Sequence, residues 1–113
     1  MIENIYQFAQ SDKTTVERVL VDENIHFLHF ILNKNQNRPV HFTDASLYMV
    51  VVRGTLTLRL NEQDNHSYQA GTLLTIPIKT KMHIQNLNQE TLEIYVIKAP
   101  SPQTPLMPII QNR

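Results

Sequence analysis

Short stretches in which apolar and polar residues alternate, enriched in β-branched and aromatic side chains, recur along the chain. They run from Val16 to Val21, Ile25 to Leu32, Leu47 to Val52, Thr55 to Leu60, Thr72 to Ile76, Met82 to Gln85 and Thr91 to Ile97. A period of two is the signature of strands whose faces meet different surroundings. Polar clusters punctuate them at Asp22-Glu23-Asn24, Asn33 to Asn37, Asn61 to Asn65 and Asn86 to Glu90, where side chains that bond to nearby backbone favour turns. Helical periodicity is absent, and Ile2 to Gln10 offers room for one turn at most. Roughly seven or eight short strands between turns predict an all-β sandwich or barrel.

The chain has two glycines, and both fall between strand-like runs. Gly54 separates Leu47 to Arg53 from Thr55 to Leu60, predicting a hairpin or a sharply bent double strand. Gly71 opens a run predicted to be a buried strand, which Pro77 ends. Pro100, Pro102, Pro105 and Pro108 remove backbone donors and favour an extended path. The expected division is an N-terminal arm over 1–14, a barrel over 15–98 and a Pro-rich tail over 99–113. In that tail Leu106, Met107, Ile109 and Ile110 could dock on the barrel or on a second subunit, or fray.

With Gly54 ending one segment, Gly71 opening another, and Pro77 and Asn86 spaced behind it, residues 25 to 98 resemble the cupin family. The resemblance implies a small antiparallel jelly-roll β-barrel, which the alternating strands also support. It places the family's metal ligands at His41, Thr43, Leu47 and Met82, so one imidazole survives among residues with no comparable donor. The family's Pro-x-Gly glycine is replaced by Lys79. A catalytic metal site needs about three good protein ligands, so no cofactor is expected at the usual location.

Strand parity, with His41 and Thr43 turned inward, sends Leu47, Met49 and Val51 to the same face and Tyr48, Val50 and Val52 outside. The family register sends Leu28, Phe30 and Leu32 inward, with His26 near the mouth and His29 outside. The expected ligand pocket is therefore His41, Thr43, Leu47, Met49, Val51, Met82, Phe30 and Leu28, an apolar cavity with few polar groups. These side chains could instead simply fill the barrel. A bulge could swing His83 inward, and His41 with His83 or His26 would then make a displaced site for a divalent transition metal. His66 reads as a solvated residue of a polar turn. Lys79, Lys81 and Arg53 are candidates for ligand contact; Lys79 and Lys81 flank a turn at the barrel mouth, where they could attract an anionic ligand or simply form a solvated turn.

Composition narrows the function classes. Ten basic residues match ten acidic ones, so there is no overall field for nucleic acid or a membrane surface. The absence of cysteine removes thiol nucleophiles, thiolate ligands and disulfides. Met1 to Gln10 lacks a secretory pattern and no stretch approaches a membrane span, so a cytoplasmic protein is expected. Ser46 and Asp44 are neighbours on the chain but imply no triad geometry. Apolar outer faces on Phe27-His29-Ile31 and Tyr48-Val50-Val52 predict a homodimer. Three functions stay open. One is a metal-free barrel that senses or sequesters a small molecule, a carboxylated one among the candidates. A second is an enzyme of the kinds cupins include (isomerase, decarboxylase, dioxygenase), using a displaced metal or His41 as acid and base. The third is a purely structural or partner-binding dimer.

Overall fold

The computed structural model describes residues 1–102; the expectations for Pro105, Leu106, Met107, Pro108, Ile109 and Ile110 fall outside the described residues. These residues carry nine strands: β1 (Thr15–Val21), β2 (His26–Leu32), β3 (His41–Phe42), β4 (Leu47–Arg53), β5 (Thr55–Leu60), β6 (His66–Gln69), β7 (Leu73–Ile76), β8 (Lys81–Gln85) and β9 (Leu92–Lys98). All pairings are antiparallel. Five strands form one sheet in the order β1-β2-β9-β4-β7, and four form the other in the order β3-β8-β5-β6. The architecture is the all-β jelly roll. No helix among the described residues is long and apolar enough to cross a membrane.

Alternation decides which side chains enter the core. Leu28, Phe30 and Leu32 of β2, Met49 and Val51 of β4, and Leu92, Ile94 and Val96 of β9 meet Leu56, Leu58 and Ile84 from the second sheet. Each such side chain contributes roughly 1.5–3 kcal/mol when fully buried. Asn86 closes the end of β8: its amide donates to the carbonyls of Leu32 at 2.9 Å and Glu90 at 2.8 Å, and its oxygen accepts from the Asn88 backbone at 3.0 Å. A buried amide with these bonds made fixes the β8–β9 turn against β2.

Gly54 lies at the corner where the chain leaves one sheet for the other, so the bent double strand forms and the hairpin does not. Its φ is +79°, and a Cβ there would stand 2.3 Å from the Thr91 carbonyl oxygen, a space that glycine alone fits. β7 differs from the expected buried strand. It is the edge of its sheet, with Leu73 and Thr75 exposed and Ile76 buried. His66 is exposed, but it begins β6, paired with Leu58, and does not lie in a turn. β6 escapes a pattern search because an edge strand half-buries just Tyr68 and carries little apolar signal.

The outer face of β2 is buried too, and the cover is the chain's own N-terminal arm. Phe8 packs on His29 at 4.5 Å between ring centroids, and on Tyr95 and Phe27 at 5.5 and 6.4 Å. His29 points outward by parity yet has no solvent exposure. Its Nδ1 lies 2.7 Å from Glu17 and its Nε2 2.6 Å from Glu93. Arg53 then bridges Glu93 at 2.9 Å, Asp12 at 2.7 Å and the Ser11 carbonyl at 2.7 Å, while the Ala9 backbone donates to Glu17 at 2.8 Å. An arm without regular secondary structure is thus fastened by ion pairs and aromatic contacts. The exposed apolar outer surface of this sheet contracts to Tyr48 and Val52 of β4 with Leu73 of β7.

Candidate functional site

A cavity of about 270 Å³ opens at the end of the barrel where β3 begins and β9 ends. Its apolar wall is Leu28, Phe30, Leu47, Met82, Ile84 and Val96, and its polar groups are Arg38, His41, Thr43, Asp44 and Lys98, with Pro39 beside them. Of the residues expected to line a pocket, Leu28, Phe30, His41, Thr43, Leu47 and Met82 do so. Met49 and Val51 do not. They lie further along β4, at about 3.3 Å per residue from Leu47, and are buried in the packed core.

Thr43 is 4% exposed and its hydroxyl is engaged on both sides. It donates to the Pro77 carbonyl at 2.8 Å and accepts from the Thr80 backbone at 2.9 Å. The backbone of Thr43 also pairs with Thr80 and with Lys79, both at 2.9 Å. These bonds hold the turn in which Lys79 takes φ +65°, the left-handed conformation that a glycine would adopt at low cost. The missing glycine and the missing histidine are therefore coupled: the residue in place of a metal ligand fastens the turn that lost its glycine.

The positions at which the cupin resemblance puts metal ligands do not fit a metal. His41 and Met82 face each other across β3 and β8, but a thioether is a poor ligand for the hard ions that imidazole and carboxylate bind. Leu47 has no donor, and the Thr43 hydroxyl is already committed. The displaced set is not assembled either. β8 pairs with β5 in unbroken register, so no bulge turns His83 inward, and His83 lines a separate depression with Arg59, Asn61 and Lys81. His26 pairs with Lys98 across β2 and β9 but does not line the cavity; burial, then the nearby Lys98 charge, hold its pKa below the ordinary imidazole value. Among the described residues no three His, Cys, Asp or Glu gather into a metal-binding group.

The cations also differ from the expected ones. Arg53 is on the outer face with Glu93, while Lys81 approaches Glu62 at 3.5 Å, and neither these nor Lys79 reach the cavity. Lys98 and Arg38 do. Lys98 is 8% exposed and pairs with Asp44 at 2.9 Å. Parity could have found it, since Leu92, Ile94, Val96 and Lys98 alternate inward along β9. A strand ended one residue early, at Ile97, drops the lysine. Arg38 follows a polar turn where parity says nothing; its backbone donates to Ile84 at 2.9 Å and its guanidinium sits 5.5 Å from the Phe30 ring centroid. His41 Nδ1 is 3.1 Å from the Pro39 carbonyl, an acceptor, so that nitrogen carries the proton.

No protein-family profile matches the chain. An uncharacterized protein of Methanocaldococcus jannaschii is 35% identical over 104 residues, covering 91% of this chain and 90% of that one. The crystal structure of that same M. jannaschii protein, described as an RmlC-like cupin family protein with a double-stranded β-helix fold, superposes with a TM-score of 0.89 at 33% identity, covering 91% of this chain and 95% of that one. A cupin superfamily protein from Desulfitobacterium hafniense shares the fold at 9% identity, with a TM-score of 0.69 and coverage of 82% and 83%.

Proposed function

The chain belongs to the cupin family, and on that premise we propose that its barrel binds a small molecule without a metal at the family's ligand positions. The observation that carries this reading is the cavity of about 270 Å³, walled by apolar side chains with its polar groups gathered at one end. Cavities that merely result from imperfect packing are few and small, whereas a concave apolar space with a few convergent polar groups is the usual form of a ligand site. By the yardstick that an apolar cavity of about 150 Å³ takes one benzene, this one suits roughly ten non-hydrogen atoms. The side chains inside the barrel do not fill it, which favours a binding module over a purely structural barrel.

The test combines metal analysis of freshly purified protein with methyl NMR titrations by two neutral probes, toluene and indole. The expected result is no stoichiometric transition metal, and saturable shifts of the Met82 and Ile84 methyl groups. A transition metal held stoichiometrically through His41 overturns the reading, as does the absence of any saturable shift. A His41→Ala variant that binds both probes unchanged removes His41 from the recognition of such ligands.

A further inference from the structure

We propose that the outer face of the second sheet carries a separate site for the phosphoryl group of a small aryl phosphate, held by Arg59 and Lys81. Alternation builds it. On β5 Leu56 and Leu58 are buried, and on β8 Met82 and Ile84 are, so Arg59, Lys81 and His83 turn outward together. Arg59 stands directly opposite His83, with Lys81 on the diagonal. The three gather with Val40, Asn61 and Met82 around a depression of about 220 Å³, distinct from the barrel cavity. Like charges that are neighbours on a sheet repel, and the carboxylate beside these is Glu62. It stands 3.5 Å from Lys81 and 3.9 Å from Arg59, against 2.7 and 2.9 Å for the pairs of Arg53, and its side chain is 81% exposed. Long, solvated pairs of this kind attract weakly, so two cations share one loosely held counter-charge that a ligand can displace.

The donors suit a phosphate monoester. The Arg59 Nε donates to the Gln63 carbonyl at 3.0 Å, which steadies the guanidinium and its remaining planar fork of N–H groups. Asn61 accepts the Lys81 backbone N–H on its side-chain oxygen at 3.0 Å, so its NH2 is a donor beside the two cations. The Asn61 backbone donates in turn to the Lys81 carbonyl at 2.8 Å, and these bonds hold the end of β5 against β8. A phosphate monoester carries about −1.5 to −2 charges at pH 7 and three acceptor oxygens. That matches two cations and a convergent set of donors better than the single charge and two oxygens of a carboxylate. Beside them Val40 is 50% and Phe42 65% exposed, and Phe42 pairs in register with Lys81. This apolar margin suits an aryl body. A nucleic acid would need a longer basic track, whereas the chain has no net charge and the depression offers two cations.

The experiment follows backbone amide and methyl shifts of the full chain, at low salt and neutral pH, titrated with phenyl phosphate, inorganic phosphate, benzoate and phenol. Phenyl phosphate should give saturable shifts centred on Asn61, Lys81 and His83. Inorganic phosphate should bind more weakly at the same amides, and benzoate and phenol more weakly still. Arg59→Gln should weaken phenyl phosphate about tenfold, the scale of a charge-assisted hydrogen bond. Glu62→Gln should strengthen it about threefold by removing the competing carboxylate. Phe42→Ser should bring phenyl phosphate down to the affinity of inorganic phosphate. The site is overturned by shifts spread evenly over exposed lysines such as Lys13, Lys34 and Lys79, or by benzoate binding as tightly as phenyl phosphate. Affinity that is unchanged in Arg59→Gln, or not raised in Glu62→Gln, overturns it too. So does a response centred on Leu28 and Val96, which puts the probe in the barrel and leaves the metal-free cavity reading standing. An advantage of phenyl over inorganic phosphate that survives Phe42→Ser overturns the aryl assignment.

Discussion

The two faces of β2 are both buried, and they are buried in opposite ways. On the inner face Leu28 and Phe30 border open volume, and the polar groups stand at one end of an apolar wall. On the outer face Phe27 and His29 lie under the arm, where both ring nitrogens of His29 meet carboxylate oxygens within 2.7 Å. Ionised carboxylates can only accept, so that arrangement is satisfied when both nitrogens donate. The outer histidine is fixed and enclosed, while His41 stands half-exposed at a cavity. Space beside a polar group, more than burial or residue type, separates a site from a fastening.

Breaking the outer network should have the largest effect on stability. Glu93→Ala takes the acceptor from both His29 and Arg53 and should cost about 3–5 kcal/mol, as expected when one partner of a buried ion pair is removed. Glu93→Gln keeps the shape and should cost less. His41→Ala, at a half-exposed position, should stay within about 0.5 kcal/mol. Urea unfolding of the three variants measures the contrast, and comparable losses for Glu93→Ala and His41→Ala would erase it.

The same contrast explains what the sequence made legible. Parity and turn chemistry place β2, β4, β5, β8 and β9, and together with the register that the cupin resemblance implies they give the inward positions Leu28, Phe30, Leu47 and Met82. Outward positions are another matter. Parity sends His29 outside, but nothing in the alternation says that Phe8, far away in an irregular arm, will cover it. Long-range contacts made by a segment without a period leave no local signature. Arg38 and Asp44 are missed for a related reason, since both lie outside the strands where facing has no rule. Met49 and Val51 are read as inward, and they are, but parity gives a face and not a depth, and the cavity ends before them.

A smaller effect sharpens the inner side of the comparison, where the polarity of Thr43 serves the turn and not the cavity. Thr43→Val removes a hydroxyl that donates to Pro77 and accepts from Thr80, and should cost about 1–3 kcal/mol because a buried backbone donor loses its partner. Lys79→Gly relieves a positive φ at an exposed position and should stabilise by up to about 1 kcal/mol, against the extra freedom glycine gives the unfolded chain. The two residues share one set of hydrogen bonds, so the double variant should deviate from the sum of the singles. Strict additivity would mean that the hydroxyl and the strained turn are independent.

The smallest effect concerns acid and the outer face. The hydrogen bond from His29, with the Ala9 backbone assisting, holds the Glu17 carboxyl below its ordinary value of 4.5. The unfolded chain therefore takes up this proton at a higher pH than the folded one does. The stabilisation from Glu17 is complete above pH 4.5 and is lost as the pH falls through the lower folded value. Because the Ala9 backbone donates to the same carboxylate, acid should loosen the arm before it unfolds the barrel. Hydrogen exchange at Ala9, followed downward from pH 5, should show protection falling ahead of that in β4 and β9. In Glu17→Gln that early loss should disappear. An arm that lets go only with the whole barrel would mean that Phe8, and not the ion network, holds it in place.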